Sequence, residues 1–197
     1  LRWLPFYAAG DAGARVRGDV EDGYSPAHIR AVTLGSLCYG IVGLLLLHSL
    51  LRELAGRRAA FLTTLLLLYA TFLYWYVVHE PVMSHAGSFF LSAVVLRVWW
   101  AGREAPSHAR CAALGLLIGL AACVRWQNAV LLLLPAATLL RQLPRQPEHS
   151  VGRGLLTLAA FALGALPQML AWKAIFGEYV LADPPHGRDF LRLGHPY

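Results

Sequence analysis

The stretch Cys111-Ala-Ala-Leu-Gly-Leu-Leu-Ile-Gly-Leu-Ala-Ala-Cys-Val-Arg-Trp-Gln-Asn-Ala-Val-Leu-Leu-Leu-Leu-Pro135 carries a single charge, Arg125, in an otherwise apolar run. Taken over residues 109–142, the segment would make one 34-residue helix ~51 Å long, with Arg125 at its middle. That is well beyond a ~30 Å hydrocarbon core, and a lipid-exposed guanidinium at mid-depth is costly. Folding back at Arg125-Trp-Gln-Asn128 instead gives two short spans and moves the charge to an interface. A hairpin is the expected solution.

The rest of the chain has the same character. Of its 197 residues, 57% are hydrophobic and 14% charged, and the mean hydropathy is +0.52. One soluble core of this size cannot bury so much Leu and Ala. The apolar residues also come in runs of ~17–24, the length a helix needs to cross a bilayer. An all-α polytopic bundle of about six spanning helices is expected, at 29–51, 59–78, 84–101, 109–124, 127–142 and 154–176. Gly56-Arg-Arg58, Pro81, Pro106 and the Arg141–Arg153 segment with Pro144 and Pro147 separate them. Ser25-Pro26 supplies a cap and first turn for the first span. The cysteines, Cys38, Cys111 and Cys123, fall inside apolar runs and read as small buried hydrophobes, not as a disulfide or metal set.

Charge sorts by side. Arg52, Arg57, Arg58, Arg97, Arg103, Arg110, Arg141, Arg145 and Arg153 follow spans one, three and five, against only Glu53, Glu104 and Glu148. Of 17 Lys and Arg and 11 Asp and Glu, this leaves eight of each sign for the other face. The net charge of +6 thus lies on one side, which the positive-inside rule makes cytoplasmic. This distribution accounts for the basic balance without nucleic acid. Tyr74-Trp-Tyr76 and Trp99-Trp100 supply interfacial aromatics, and Gly115 and Gly119 a GxxxG step for close helix packing.

Polar residues gather on the outer side. His79-Glu-Pro-Val-Met-Ser-His85 joins spans two and three, while Arg125, Gln127 and Asn128 join spans four and five. Pro81 is expected to start the next helix, which places Glu80 near a helix N-terminus. A capping acid is the plain reading of Glu80, and a cavity carboxylate for a metal or substrate hydroxyl the sharper one. His79 and His85 read either as polar anchors or as members of that cavity. There is no HExxH spacing. Arg125 suits an anionic ligand, phosphate above all, with snorkelling to lipid headgroups as the alternative. After the sixth span, Glu178, Asp183, His186, Arg188, Asp189, Arg192 and His195 complete the outer set.

Glu80-Pro-Val-Met-Ser-His85 after an aromatic-rich helix resembles the acidic-Pro turn of the GT-C superfamily of integral-membrane glycosyltransferases. More specifically, it resembles the bacterial members related to protein mannosyltransferases and lipid A aminoarabinose transferase. Gly115-Leu-Leu-Ile-Gly-Leu-Ala-Ala-Cys-Val-Arg-Trp-Gln-Asn128, followed by Leu131–Leu134 and Pro135, resembles that family's Gly-x-x-x-Gly-Leu, basic residue and Leu-Leu-Pro hairpin. The likeness covers about residues 1–176, with 177–197 as the start of a periplasmic loop. It implies transfer of a sugar from a polyprenyl-phosphate carrier to an acceptor on the periplasmic side of a bacterial inner membrane, with a divalent metal as a candidate cofactor. It assigns Glu80 to the second acidic position of the cavity, a candidate catalytic carboxylate. Arg125 becomes the basic residue that meets the carrier phosphate, with Gln127, Asn128, His79 and His85 as substrate-binding neighbours. The chain has Glu80 where the family turn more often has Asp, and Arg125-Trp-Gln127 where the aminoarabinose branch has Lys-Gly-Pro.

The chain opens on Leu1 inside an apolar stretch and stops at His195-Pro-Tyr197, so a fragment lacking both ends is expected. On that expectation the N-terminal helix and first outer loop, with the family's principal catalytic acid, lie upstream. Asp11, Asp19, Glu21 and Asp22 match no family motif. A transporter or lipid flippase is the other functional class, using Arg125 and Glu80 as substrate or proton sites. It predicts internal repeats, and none is visible. A non-catalytic scaffold, with the outer polar residues as anchors, is the third.

Overall fold

A computed structural model describes residues 4–18, 23–177 and 179. All regular structure among them is helical: α1 (Leu4–Arg17), α2 (Pro26–Tyr69), α3 (Leu73–Val78), α4 (His85–Gly102), α5 (His108–Val124), a 3-10 segment (Trp126–Leu132), α6 (Leu133–Gln142) and α7 (Pro147–Phe176). The expected loop at 177–197 and the acidic residues Asp19, Glu21 and Asp22 fall almost wholly outside the described residues.

Two of these helices, α2 and α7, are long and apolar enough to cross a membrane. Only 28% of the apolar window in α2 and 11% of that in α7 is buried inside the molecule. A core helix of a soluble protein would be mostly covered, and these windows are not.

The 44-residue α2 is not straight. Gly56 adopts φ 79°, ψ 172°, a conformation open essentially to glycine alone, and the chain reverses there. The two halves lie side by side. His48 and Thr64, eight residues either side of Gly56, meet at 3.1 Å, and Val77 packs over Gly40. The break expected at Gly56-Arg-Arg58 therefore stands. The helix expected at 59–78 is interrupted at Ala70–Phe72, where the Thr71 hydroxyl donates to Leu67 O and accepts from Leu73 N. A side chain that satisfies the backbone locally in this way competes with the helix ladder.

Paired contacts fix the order of the remaining helices. α4 runs in the same direction as the first half of α2, with Tyr39 stacked on Phe90 at one level and Glu53 bonded to Arg97 at another. α5 runs back along α4, since Arg110 lies over Gly102 and Asn128 meets Ser88. α7 runs parallel to α5. Gly115 and Gly119 let the two backbones close up, and a Cβ on Gly119 would stand 2.8 Å from Gly164 Cα. The GxxxG step thus packs against a third glycine on the facing helix.

The return leg after Arg125 begins as a 3-10 segment, which differs from the expected α-helix over 127–142. Pro135 explains the switch. In a continuous helix its ring would clash with the carbonyl four residues back, whereas as the third residue of α6 its missing N–H leaves no broken bond. α7 begins at Pro147, seven residues before the expected start, with Pro in the first turn and Glu148 beside it. Cys111 is buried and Cys123 partly so, but Cys38 is exposed on α2, which corrects its reading as a buried residue.

Candidate functional site

At the end of the bundle away from the Glu53–Arg97 pair, the turn between α3 and α4 comes against the turn after α5. Arg125 ends α5 in extended conformation, φ −150° and ψ 122°, so its side chain leaves the helix axis sideways. Its Nη1 donates to His85 Nδ1 at 2.6 Å. The His85 ring is stacked on Tyr76, with centroids 3.6 Å apart and planes at 18°. His85 opens α4, and Ser88 lies one turn further along the same face. The Ser88 hydroxyl lies 2.9 Å from Asn128 Nδ2 and 3.0 Å from Asn128 Oδ1. Nδ2 also donates to Ala121 O at 2.9 Å, which ties the site to the last turn of α5.

An acceptor at Nδ1 means that His85 meets Arg125 as a neutral imidazole. Among the described residues no carboxylate reaches Arg125, and its full positive charge remains available to an anion. His85 and Ser88 also line an open groove of about 300 Å³, with Leu67, Phe72, Tyr76 and Phe89 as its apolar walls. Polar groups thus stand at one edge of an apolar trough.

Of the six residues singled out from sequence, three come together: Arg125, His85 and Asn128. The other three do not. His79 is exposed and stacks on Trp75, with ring centroids 4.6 Å apart. Gln127 is exposed at the tip of the turn. Glu80 is exposed, and among the described residues its carboxylate makes no hydrogen bond or ion pair. Its expected place at a helix N-terminus is also corrected. Pro81 does not start α4; residues 80–83 close a turn through Met83 N to Glu80 O at 3.0 Å, and the helix begins only at His85. Ser88 and Tyr76 join the site without having been singled out. No three His, Cys, Asp or Glu side chains gather to hold a metal among the described residues.

A second polar chain lies at the start of α2. His28, 1% exposed, shares hydrogen bonds with Ser25 Oγ through Nδ1 at 2.8 Å and with Asp11 through Nε2 at 2.6 Å. Gly10 makes room for the imidazole, since a Cβ there would stand 2.9 Å from its Cδ2. Ser25 caps α2 by position, but its hydroxyl serves His28 and not a backbone N–H. With Ser25 itself buried, the arrangement clips α1 onto α2. Among known proteins, no family model, curated sequence or solved structure matches the chain.

Proposed function

We propose that this chain is part of the spanning region of a membrane glycosyltransferase that takes sugar from a polyprenyl-phosphate carrier at the outer face. On this reading the helices thread a bacterial inner membrane about six times: the two halves of α2 (the second continued by α3), α4, α5, the 3-10 segment with α6, and α7. The alternating helix directions and the arginines gathered at one end support that count. The observation that carries the functional reading is the Arg125–His85 contact: a guanidinium held by a neutral base, beside an apolar groove. An isoprenoid phosphate needs that pairing, a trough for the chain and an uncompensated cation for the phosphate.

In the reaction, an acceptor oxygen attacks the anomeric carbon as the carbon–phosphate ester oxygen bond breaks. Charge develops on the departing lipid phosphate, and on this reading Arg125 stabilises it. Asn128 and Ser88 hold the turn that carries Arg125. Glu80, exposed at the same end, is the carboxylate within the chain nearest in sequence to the groove, and it serves the acceptor side.

The test is transfer of radiolabelled sugar from polyprenyl-phosphate donors by the full-length protein in proteoliposomes. Arg125→Ala is expected to lower turnover ~100-fold or more, the cost of losing such a charge contact. Normal turnover in that variant would refute the phosphate role. Carrier movement across the membrane without sugar transfer would favour the transporter class instead.

A further inference from the structure

At the opposite end, Glu53, Arg97, Trp100, Arg103, Glu104 and Arg110 line an open groove of about 450 Å³. Two of its three arginines are already matched. Arg97 bonds Glu53 at 2.8 Å, while Arg103 bonds Glu104 at 3.2 Å and lies 3.4 Å over the Trp100 ring. Arg110 is different. Half-buried, its guanidinium makes no hydrogen bond or ion pair among the described residues. It lies across Gly102, where a Cβ would collide with its Cδ, Nε and Nη1.

Gly102, Arg103 and Arg110 also border a crevice of only about 10 Å³, room for one water, walled mainly by Pro106, Leu114, Pro135 and Leu139 with Thr138 as a polar member. A half-buried cation left unpaired in an open polar groove calls for an anion. Trp100, whose Nε1 donates to Glu53 at 3.0 Å, gives the groove an aromatic rim, and on the membrane-spanning reading such residues sit at the depth of lipid phosphates. We infer that Arg110 and this groove hold the phosphate of an anionic phospholipid from the cytoplasmic leaflet. The inference rests on the membrane-spanning reading but not on the transfer reaction.

The experiment is tryptophan quenching of the full chain in phosphatidylcholine vesicles carrying increasing brominated phosphatidylglycerol. Arg110→Ala is expected to weaken the lipid's apparent affinity ~10-fold, the scale of one charge-assisted contact. Gly102→Ala keeps every charge but displaces the Arg110 side chain, and it should weaken binding to a similar degree. Arg145→Ala, which removes an exposed cation that lines neither groove, should leave the affinity unchanged. Equal quenching by brominated phosphatidylcholine, or identical titrations for all variants, would overturn the proposal. Competition by millimolar inorganic phosphate would overturn the lipid as its source and leave a free-phosphate site. A chain that fails to float with the vesicles would refute the spanning reading itself.

Discussion

Arg125 and His85, 40 residues apart in sequence, meet at 2.6 Å through a guanidinium Nη1 and an imidazole Nδ1. The contact positions the cation without neutralising it, because a neutral imidazole accepts the bond and contributes no negative charge. It also links the two turns at that end of the bundle, and Tyr76 stacked beneath the ring limits the freedom of His85.

His85→Phe keeps a flat ring against Tyr76 and removes the acceptor. If His85 only positions Arg125, carrier KM should rise ~3–10-fold, since the net worth of one such hydrogen bond is about 1 kcal/mol. Turnover at saturating donor should change less. A kcat as low as that of Arg125→Ala would instead make the histidine a participant in the chemistry.

Two glycines in the helical bundle should respond oppositely to alanine. At Gly119 the new methyl meets backbone, with Ala165 N at 2.9 Å and Gly164 Cα at 2.8 Å, so α5 and α7 must separate. A cost of about 1–3 kcal/mol follows from forcing a packed contact apart. Gly152 sits within α7 with nothing within 4 Å of its would-be Cβ. There alanine should stabilise by about 0.5–1 kcal/mol through helix propensity. Thermal unfolding in detergent reads both, and equal shifts would contradict the close α5–α7 packing.

At Gly56 the reversal itself is at stake. With φ 79° and ψ 172°, any side chain there is strained, at a cost of about 1–3 kcal/mol. Gly56→Ala should therefore destabilise the hairpin and separate His48 from Thr64. Cysteines placed at His48 and Thr64 would report it, crosslinking readily in the parent and poorly in the variant.

Much of this arrangement can be read from the chain because it rests on strong, local signals. A charged residue in a run too long for one span demands a fold-back, and Arg125 provides it. Gly56 before two arginines marks a reversal, and Gly115 and Gly119 announce a close helix face. The misreadings have separate causes. Partners far apart in sequence have no spacing signature, so Ser88 with Asn128 and His28 with Asp11 emerge only when distant elements are brought together. The rule that proline opens helices puts Glu80 at a helix N-terminus, yet the Met83 N–Glu80 O bond closes a turn first and postpones α4 to His85. Pro135 likewise acts backwards along the chain, converting the preceding turn to 3-10.

The disposition of the loops gives the most general prediction, because every functional statement depends on which residues share a side. Glu104 and Gln142 belong together: Gln142 Nε2 donates to Glu104 O at 3.0 Å, joining the α4–α5 connection to the end of α6. Arg97, Arg103 and Arg110 line the same end. Glu80 and Gln127 are exposed at the other. Single cysteines at Glu104 and at Arg145 should react with a membrane-impermeant maleimide only after the cells are opened. Cysteines at Glu80 and Gln127 should react in intact spheroplasts. On the membrane-spanning reading, the positive-inside rule sets this direction, because nine arginines would otherwise have to be translocated. Labelling of Glu80 and Gln127 from opposite sides would separate the two turns that His85 and Arg125 connect, and it would leave no common pocket for a carrier phosphate.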